Sequence, residues 1–259
     1  MISFHITLPQ LQMFFLVFLR MAAMVMTLPV FGSNSVPLLF KAGLALSITI
    51  ILVSMLKLDT VPVMSHLLPF TVEVIGEIMI GVIIGLSVKV IFAGIQLAGQ
   101  LTGYQMGMAL ANVMDPNTSE QIPIIAQFME LLALLILVVT NAHHWLIRAL
   151  AESYRLVPPL GFHFSASVMA HVMELGANMF VIAVKIGAPI MTALLLTSVA
   201  FGLIARTVPQ MNVLIVAMPL KIGVGLLFIG FSLPYISSFL KTLVNALGKH
   251  MVLLLRAMS

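Results

Sequence analysis

The histidine pair His143 and His144 and the carboxyl group of Glu130 are the first candidates for catalysis, since these residue types ligate metals and move protons. The two histidines are adjacent, so on a helix they point to different faces and make a poor metal pair. Glu130 does not stand at a metal-ligand spacing from them, and the sequence lacks an HExxH motif, a Gly-x-Ser-x-Gly elbow and a phosphate-binding glycine loop. Cysteine is absent. We therefore predict no enzyme, no metal site and no cofactor.

A second group of residues recurs at every fourth position in an apolar stretch: Glu73, Glu77, Gly81, Gly85 and Lys89. On one helix this spacing forms a single, slowly drifting stripe. Charged side chains are too costly to face lipid, and glycines let a neighbouring helix approach closely, so the stripe is expected to face protein or water. Lys89 lies roughly 24 Å from Glu73 along such a helix and cannot pair with it. Three interpretations stay open: the acids mark a helix end at the membrane interface, pair with basic residues of another subunit, or relay protons.

A third pattern is a ladder of small residues at the same spacing, formed by Gly99, Gly103, Gly107 and Ala111. It favours tight helix packing, whereas the glutamines among these residues suggest a wet or protein-lined face. The ladder runs into the segment NVMDPNTSEQIP, where Asp before Pro and then Asn-Thr-Ser favour a turn. This segment is either a re-entrant or pore-lining loop or an ordinary surface loop.

The amino-acid composition predicts which secondary structure carries these residues. Of 259 residues, 61% are hydrophobic and only 8% are charged, against about a quarter charged in soluble proteins. Two runs contain no charged residue: Ile186–Ala205, of 20 residues, and Ile222–Leu240, of 19 residues. As helices, runs of this length match the ~30 Å hydrocarbon core of a bilayer. They are expected to be helical because lipid offers no hydrogen-bond partners, so the backbone N–H and C=O groups must bond within the segment. The net charge of +4 is scattered without a Lys/Arg run, so nucleic-acid binding is not expected. The chain is predicted to be an all-α, polytopic membrane protein.

About six long, kinked apolar helices are predicted, and they fit the chain without a soluble domain: Leu11–Leu28, Phe40–Met55, Phe70 to beyond Ala93, Ile124–Ile147, Ala166–Ala205 and Val213–Leu255. The Gly/Gln-rich region Gly94–Pro123 separates the third from the fourth. A loop is expected after the fourth, holding Arg148, Glu152, Arg155, Pro158 and Pro159. Three prolines are expected to kink or interrupt the last two helices: Pro189, Pro219 and Pro234.

The chain resembles the FliR family of flagellar type III secretion export-gate proteins over essentially its full length. Three stretches carry the resemblance: Leu28–Ile48, Gly103–Gly161 and Ile182–Val213. Their most specific parts are the turn Met114-Asp115-Pro116, the run Asn141-Ala142-His143-His144, and the segment from Arg206 to Asn212.

Membership in that family would imply a single domain over residues 1–259, built of helical hairpins within a helical export-gate assembly lifted largely out of the membrane plane. The resemblance implies FliP-like and FliQ-like partners in a hetero-oligomer, and FlhB-like and FlhA-like proteins acting with it. Unfolded flagellar subunits would be the transported substrate, and the location would be the bacterial inner membrane within the flagellar basal body.

The resemblance also implies site residues. A plug would close the conduit and would map onto residues 107–123, with its core at Met106, Gly107, Met108, Asn112, Met114, Asp115 and Pro116. Helix-packing glycines would be Gly81, Gly85, Gly99 and Gly103. Charges buried or paired between subunits would be Arg20, Glu73, Glu77, Lys89, Lys185, Arg206 and Lys221.

Two rival interpretations remain. A stand-alone secondary transporter would use Glu73 or Glu77 as a coupling acid. An intramembrane enzyme would use Glu130, His143 and His144.

Overall fold

The computed structural model describes residues 7–32, 36–56, 67–108, 123–159, 161–162, 165–208, 210 and 212–258. All regular secondary structure within these ranges is helical. The helices in chain order are α1 (Leu8–Thr27), α2 (Pro29–Gly32), α3 (Leu38–Leu56), α4 (Leu67–Gln105), α5 (Ile124–Val139), α6 (Ala142–Leu156), α7 (Ala166–Thr207) and α8 (Val213–Met258). Helices α1, α3, α4, α7 and α8 are long and apolar enough to cross a membrane, and α5 is a shorter apolar helix. The prediction of an all-α, polytopic membrane protein is confirmed.

The predicted continuous helix Ile124–Ile147 is wrong, because the chain breaks between α5 and α6. Asn141 has φ 54°, in the left-handed region, and is the N-cap of α6. Asparagine is among the few non-glycine residues that adopt this conformation readily. The predicted loop is correspondingly wrong over Arg148, Glu152 and Arg155, which all lie within α6.

The two longest helices continue through their prolines. Pro189 lies inside α7, and Pro219 and Pro234 lie inside α8. Each proline removes one backbone hydrogen bond from its helix, but none of the three interrupts it.

The chain divides into two compact units. The first unit comprises Met1–Val90, Asn141–Leu175 and Asn245–Ser259, and the second unit comprises Ile91–Thr140 and Gly176–Val244. Helices α4, α7 and α8 contribute residues to both units. In the first unit α1 packs against α3, and α1 buries the side chains of Leu16, Val17 and Met24.

Candidate functional sites: a buried ion pair and the end of helix α4

A buried ion pair joins α1 to α4 in the first unit. The guanidinium of Arg20 donates from Nε to Oε2 of Glu77 at 2.6 Å and from Nη2 to Oε1 at 2.8 Å. This two-bond geometry matches the planar fork of arginine to both carboxylate oxygens. Arg20 is 0% exposed and Glu77 is 2% exposed, so neither charge reaches solvent on the described chain.

Two further hydrogen bonds of Arg20 go to α6 and to the residue after it. Nη1 donates to Oγ of Ser153 at 3.1 Å, and Nη2 donates to the carbonyl oxygen of Val157 at 3.0 Å. The guanidinium carbon also lies 4.1 Å from the centroid of the Tyr154 ring, within cation–π range. A buried ion pair is stable only when such additional hydrogen bonds satisfy its polar atoms. The structure therefore shows a guanidinium held by four hydrogen bonds and one aromatic ring.

Tyr154 ties the network back to α1. Its hydroxyl donates to the carbonyl oxygen of Val17 at 3.1 Å. Burial raises the pKa of Tyr154, with the Arg20 charge acting in the opposite direction and the Glu77 charge adding to the increase. The phenol therefore stays neutral and keeps its proton for the bond to Val17.

Two glycines of the predicted stripe lie where α4 contacts α1. A β-carbon placed on Gly81 would overlap the carbonyl oxygen of Arg20, and one placed on Gly85 would overlap the hydroxyl of Thr27. The two helix backbones thus approach too closely for any larger residue. This close approach brings Arg20 within reach of Glu77, one turn before Gly81 on α4.

The second site is the C-terminal end of α4, in the second unit. Gly107 has φ +85°, its N–H donates to the carbonyl of Tyr104 at 3.0 Å, and the N–H of Met108 donates to the carbonyl of Gly103 at 3.2 Å. These two bonds and the left-handed glycine form a Schellman motif, which ends a helix sharply and satisfies its last carbonyl groups. The end of α4 at the start of the predicted plug is therefore encoded locally.

Helix α8 packs against this turn at two positions, Met218 and Gly225. Met106 is 0% exposed and fills the space in front of Gly225, where an added β-carbon would overlap its terminal methyl group. The methyl carbon of Met218 lies 3.5 Å from the position of a β-carbon on Gly107. Earlier along α4, a β-carbon on Gly99 would meet the Ala126 backbone of α5, and Gly103 faces Pro123 and Ile125.

The other predicted residues lie apart from these two sites or outside the described chain. Four predicted plug residues lie outside the described residues: Asn112, Met114, Asp115 and Pro116. Of the predicted charges, Lys89, Lys185 and Arg206 are exposed, whereas Glu73 and Lys221 are half-buried. The ammonium of Lys185 lies 5.7 Å from the centroid of the Phe239 ring.

The candidate catalytic residues form no metal site in the part of the chain that the structure describes. Within those residues no group of three or more His, Cys, Asp or Glu side chains is placed to hold a metal ion. Glu130 is half-buried and His144 is exposed, while the side chain of His143 lies outside what is described.

Sequence reasoning missed five residues of the two sites: Ser153, Tyr154, Val157, Met218 and Gly225. An arginine inside an apolar helix signals that an anion is needed nearby, but it carries no information on the polar groups that complete the site. Gly225 stands near Gly223 and Gly230 on α8, and spacing alone does not distinguish it from them.

Comparisons with known proteins agree with the resemblance seen in the sequence. The model of the family "Bacterial export proteins, family 1" matches residues 11–247. The flagellar biosynthetic protein FliR of Bacillus subtilis (strain 168) is 35% identical over 219 residues, which cover 83% of this chain and 84% of the relative. FliR of Pectobacterium carotovorum is 32% identical, covering 90% and 88% of the two chains. FliR of Escherichia coli (strain K12) is 30% identical, covering 91% and 89%. This chain belongs to the FliR family of bacterial export proteins.

Proposed function

We propose that this chain is a subunit of the flagellar type III protein export gate. With FliP-like and FliQ-like partners it forms a closed conduit through which unfolded flagellar subunits leave across the bacterial inner membrane, within the basal body. FlhB-like and FlhA-like proteins act with it. The family match over residues 11–247 carries the proposal, and the relatives are named flagellar biosynthetic proteins.

The surface of the described helices supports assembly with other subunits. Leu195, Leu196 and Leu203 of α7 are each about 60–65% exposed on this chain, and Lys185 and Arg206 are exposed on the same helix. Apolar area of this extent is covered in the native setting by lipid or protein. Cations on an apolar helix favour neighbours that supply polar or acidic groups. A hetero-oligomer of membrane helices provides both.

The proposed gating element is the plug at residues 107–123, whose described beginning is the turn after α4. A conduit wide enough for a polypeptide leaks ions unless a packed constriction closes it. Methionine side chains suit such a constriction, because they are flexible and fill irregular space. The Schellman motif at Gly107 supports this proposal, since it ends α4 at the residue where the proposed plug begins.

The mechanism is gating, with no chemistry on the substrate. The rival interpretation as a proton-coupled transporter requires an acid that is available for protonation. Glu77 instead holds both oxygens against the buried guanidinium of Arg20 and is only 2% exposed.

Co-purification tests the proposed function. The chain, carrying an affinity tag, is expressed with its FliP-like and FliQ-like neighbours, and the detergent-extracted material is weighed by native mass spectrometry. We expect a discrete hetero-oligomer that contains this chain. A stable monomer or homodimer that ignores those neighbours would contradict the proposal and favour the transporter.

A further inference from the structure

We propose that the exposed face of α6 is a docking surface for an acidic segment of another protein. The surface consists of His144, Trp145, Arg148 and Arg155, which are exposed and lie in the first unit. The partner segment presents carboxylate groups to the two arginines and an apolar side chain to the tryptophan. This inference goes beyond the proposed function, because it rests on the charge and exposure of one helix and not on the family match.

Three of these residues form a basic row along α6. His144, Arg148 and Arg155 are exposed, and at 3.6 residues per turn they lie within about 40° of one another around the helix and span about 17 Å of its axis. Glu152 lies beside the row and forms an ion pair with Arg155 at 3.7 Å. No described acid forms an ion pair with Arg148. The row therefore carries an excess of positive charge.

Trp145 adds an aromatic side chain at the edge of the row. Its ring carbons Cε3 and Cζ3 lie 3.5 and 3.6 Å from the β-carbon position of Gly248 on α8. The guanidinium carbon of Arg148 lies 5.3 Å from the ring centroid. Trp145 is nevertheless 46% exposed, so part of the ring is open to a partner. Tryptophan and arginine are among the residue types most enriched at the energetic centres of protein interfaces.

The opposite face of α6 holds the helix in place. Leu150, Ser153 and Tyr154 are buried there. Ser153 accepts a hydrogen bond from Arg20, and the hydroxyl of Tyr154 donates to the carbonyl of Val17. The exposed face is consequently presented on a helix that is already folded and fixed to α1, which reduces the entropy lost when a partner binds.

The distribution of apolar residues favours a protein over a lipid surface as the occupant. A helix that lies in a membrane interface buries an apolar face in lipid and turns its charged face to water. The apolar face of α6 is already covered from within the chain. On the exposed face, the large apolar side chains among the described residues are Trp145 and Ile147. Carboxylates of a protein complement the basic row, because each can accept two hydrogen bonds from one arginine.

A second copy of this chain is a poor source of those carboxylates. In a symmetric dimer contact the basic face would meet itself, and like charges that face each other across an interface are unfavourable. The chain has 8 acidic residues against 12 lysines and arginines, and none of the acids follows Glu174. The occupant is therefore a different protein.

The first test uses Trp145 as the reporter, since it is the single tryptophan of the chain. The full chain in a neutral detergent is titrated with a dansyl-labelled peptide of glutamate and leucine, and with the same peptide carrying glutamine in place of glutamate. We expect energy transfer from Trp145 to the dansyl group with the glutamate peptide, and about tenfold weaker binding of the glutamine peptide. Equal affinity for the two peptides would overturn the inference.

Two variants of α6 localise the binding. Arg148→Glu is expected to bind the glutamate peptide about tenfold more weakly, the factor for losing one interface contact of moderate strength. The matched control Glu152→Gln lies on the same helix and removes a negative charge, so it should bind at least as tightly as the unmodified chain. A general disturbance of α6 would instead weaken binding in both variants. Unchanged binding in Arg148→Glu, or an equal loss in both, would overturn the inference.

Photo-crosslinking in cells tests the occupant, with p-benzoylphenylalanine in place of Trp145. We expect a crosslink to another protein at a peptide that contains aspartate or glutamate. Arg148→Glu should abolish the crosslink, and replacing that acid of the partner by arginine should restore it. A crosslink only to phospholipid or to a second copy of this chain, one that Arg148→Glu leaves unchanged, or no crosslink at all would overturn the inference.

Discussion

Substituting glutamine for Glu77 is expected to destabilise the first unit by about 3–5 kcal/mol, the cost of leaving a buried charge without its partner. The side chain keeps its volume, so the effect comes from charge and hydrogen bonding. Arg20 is 0% exposed and makes two of its four side-chain hydrogen bonds to this carboxylate. An amide accepts at one oxygen only, and its NH2 group would face a guanidinium donor.

Trp145 provides the assay, because it is the single tryptophan of the chain and lies in the first unit. Its ring packs 3.5 Å from the β-carbon position of Gly248 on α8. Denaturant unfolding of the full chain in detergent, followed by tryptophan fluorescence, gives the free energy of unfolding for each variant. The matched control is Glu152→Gln, which removes an exposed ion pair with Arg155 at 3.7 Å and should cost less than about 1 kcal/mol.

An equal loss of stability in Glu77→Gln and Glu152→Gln would refute the reasoning. Breaking the buried ion pair would then cost no more free energy of unfolding than breaking the exposed one. The double variant Arg20→Met, Glu77→Leu gives a second check. It removes both charges and replaces them with apolar side chains, so it should be more stable than Glu77→Gln alone.

Three further changes probe other contacts of the two units. Gly99→Leu should separate α4 from α5 and lower the melting temperature of the isolated chain in detergent, whereas Gly202→Leu, with no atom within 4 Å of its β-carbon position, should not. Asn141→Val should cost about 1–2 kcal/mol in chemical unfolding, because a β-branched residue at φ 54° is strained, and Asn141→Gly should be neutral. Tyr154→Phe should cost about 0.5–1.5 kcal/mol by removing the hydrogen bond from its hydroxyl to the Val17 carbonyl. Because burial raises the pKa of Tyr154 above its ordinary value of 10.0, the unmodified chain should lose stability above about pH 10, and a pH series should show a smaller loss in Tyr154→Phe.

Long helices were predictable because the bilayer imposes their length and their apolar character. The predicted helical stretches Ala166–Ala205 and Val213–Leu255 agree with α7 and α8 to within a few residues at each end. The prediction lacks the break at Asn141, because apolar residues resume at Trp145 after the short run Thr140–His144 and a left-handed backbone conformation does not change hydropathy. The charges of α6 were assigned to a loop for a related reason: a polar, half-exposed helix and a loop have similar composition.

Pairing between distant residues was not predictable in the same way. The sequence identifies Arg20 and Glu77 as charges that are costly in lipid, and Gly81 and Gly85 as places where another helix can approach closely. It does not show that the close approach at the glycines brings Arg20 to Glu77. The spacing of Glu73 and Glu77 made them equivalent in the sequence. The structure places Glu77 opposite the guanidinium and leaves Glu73 half-buried.

The separation of Arg20 from its partners has a consequence for the order of events during biosynthesis. Glu77 follows Arg20 by 57 residues, Ser153 by 133 and Val157 by 137. At ribosomal rates of about 5–20 residues per second, the last partner is made about 7–27 s after Arg20. During that interval α1 carries a cation that an apolar environment disfavours by several kcal/mol. Stable insertion of α1 therefore depends on the arrival first of α4 and then of α6, and a nascent chain that stops before Ser153 leaves the first helix incompletely satisfied.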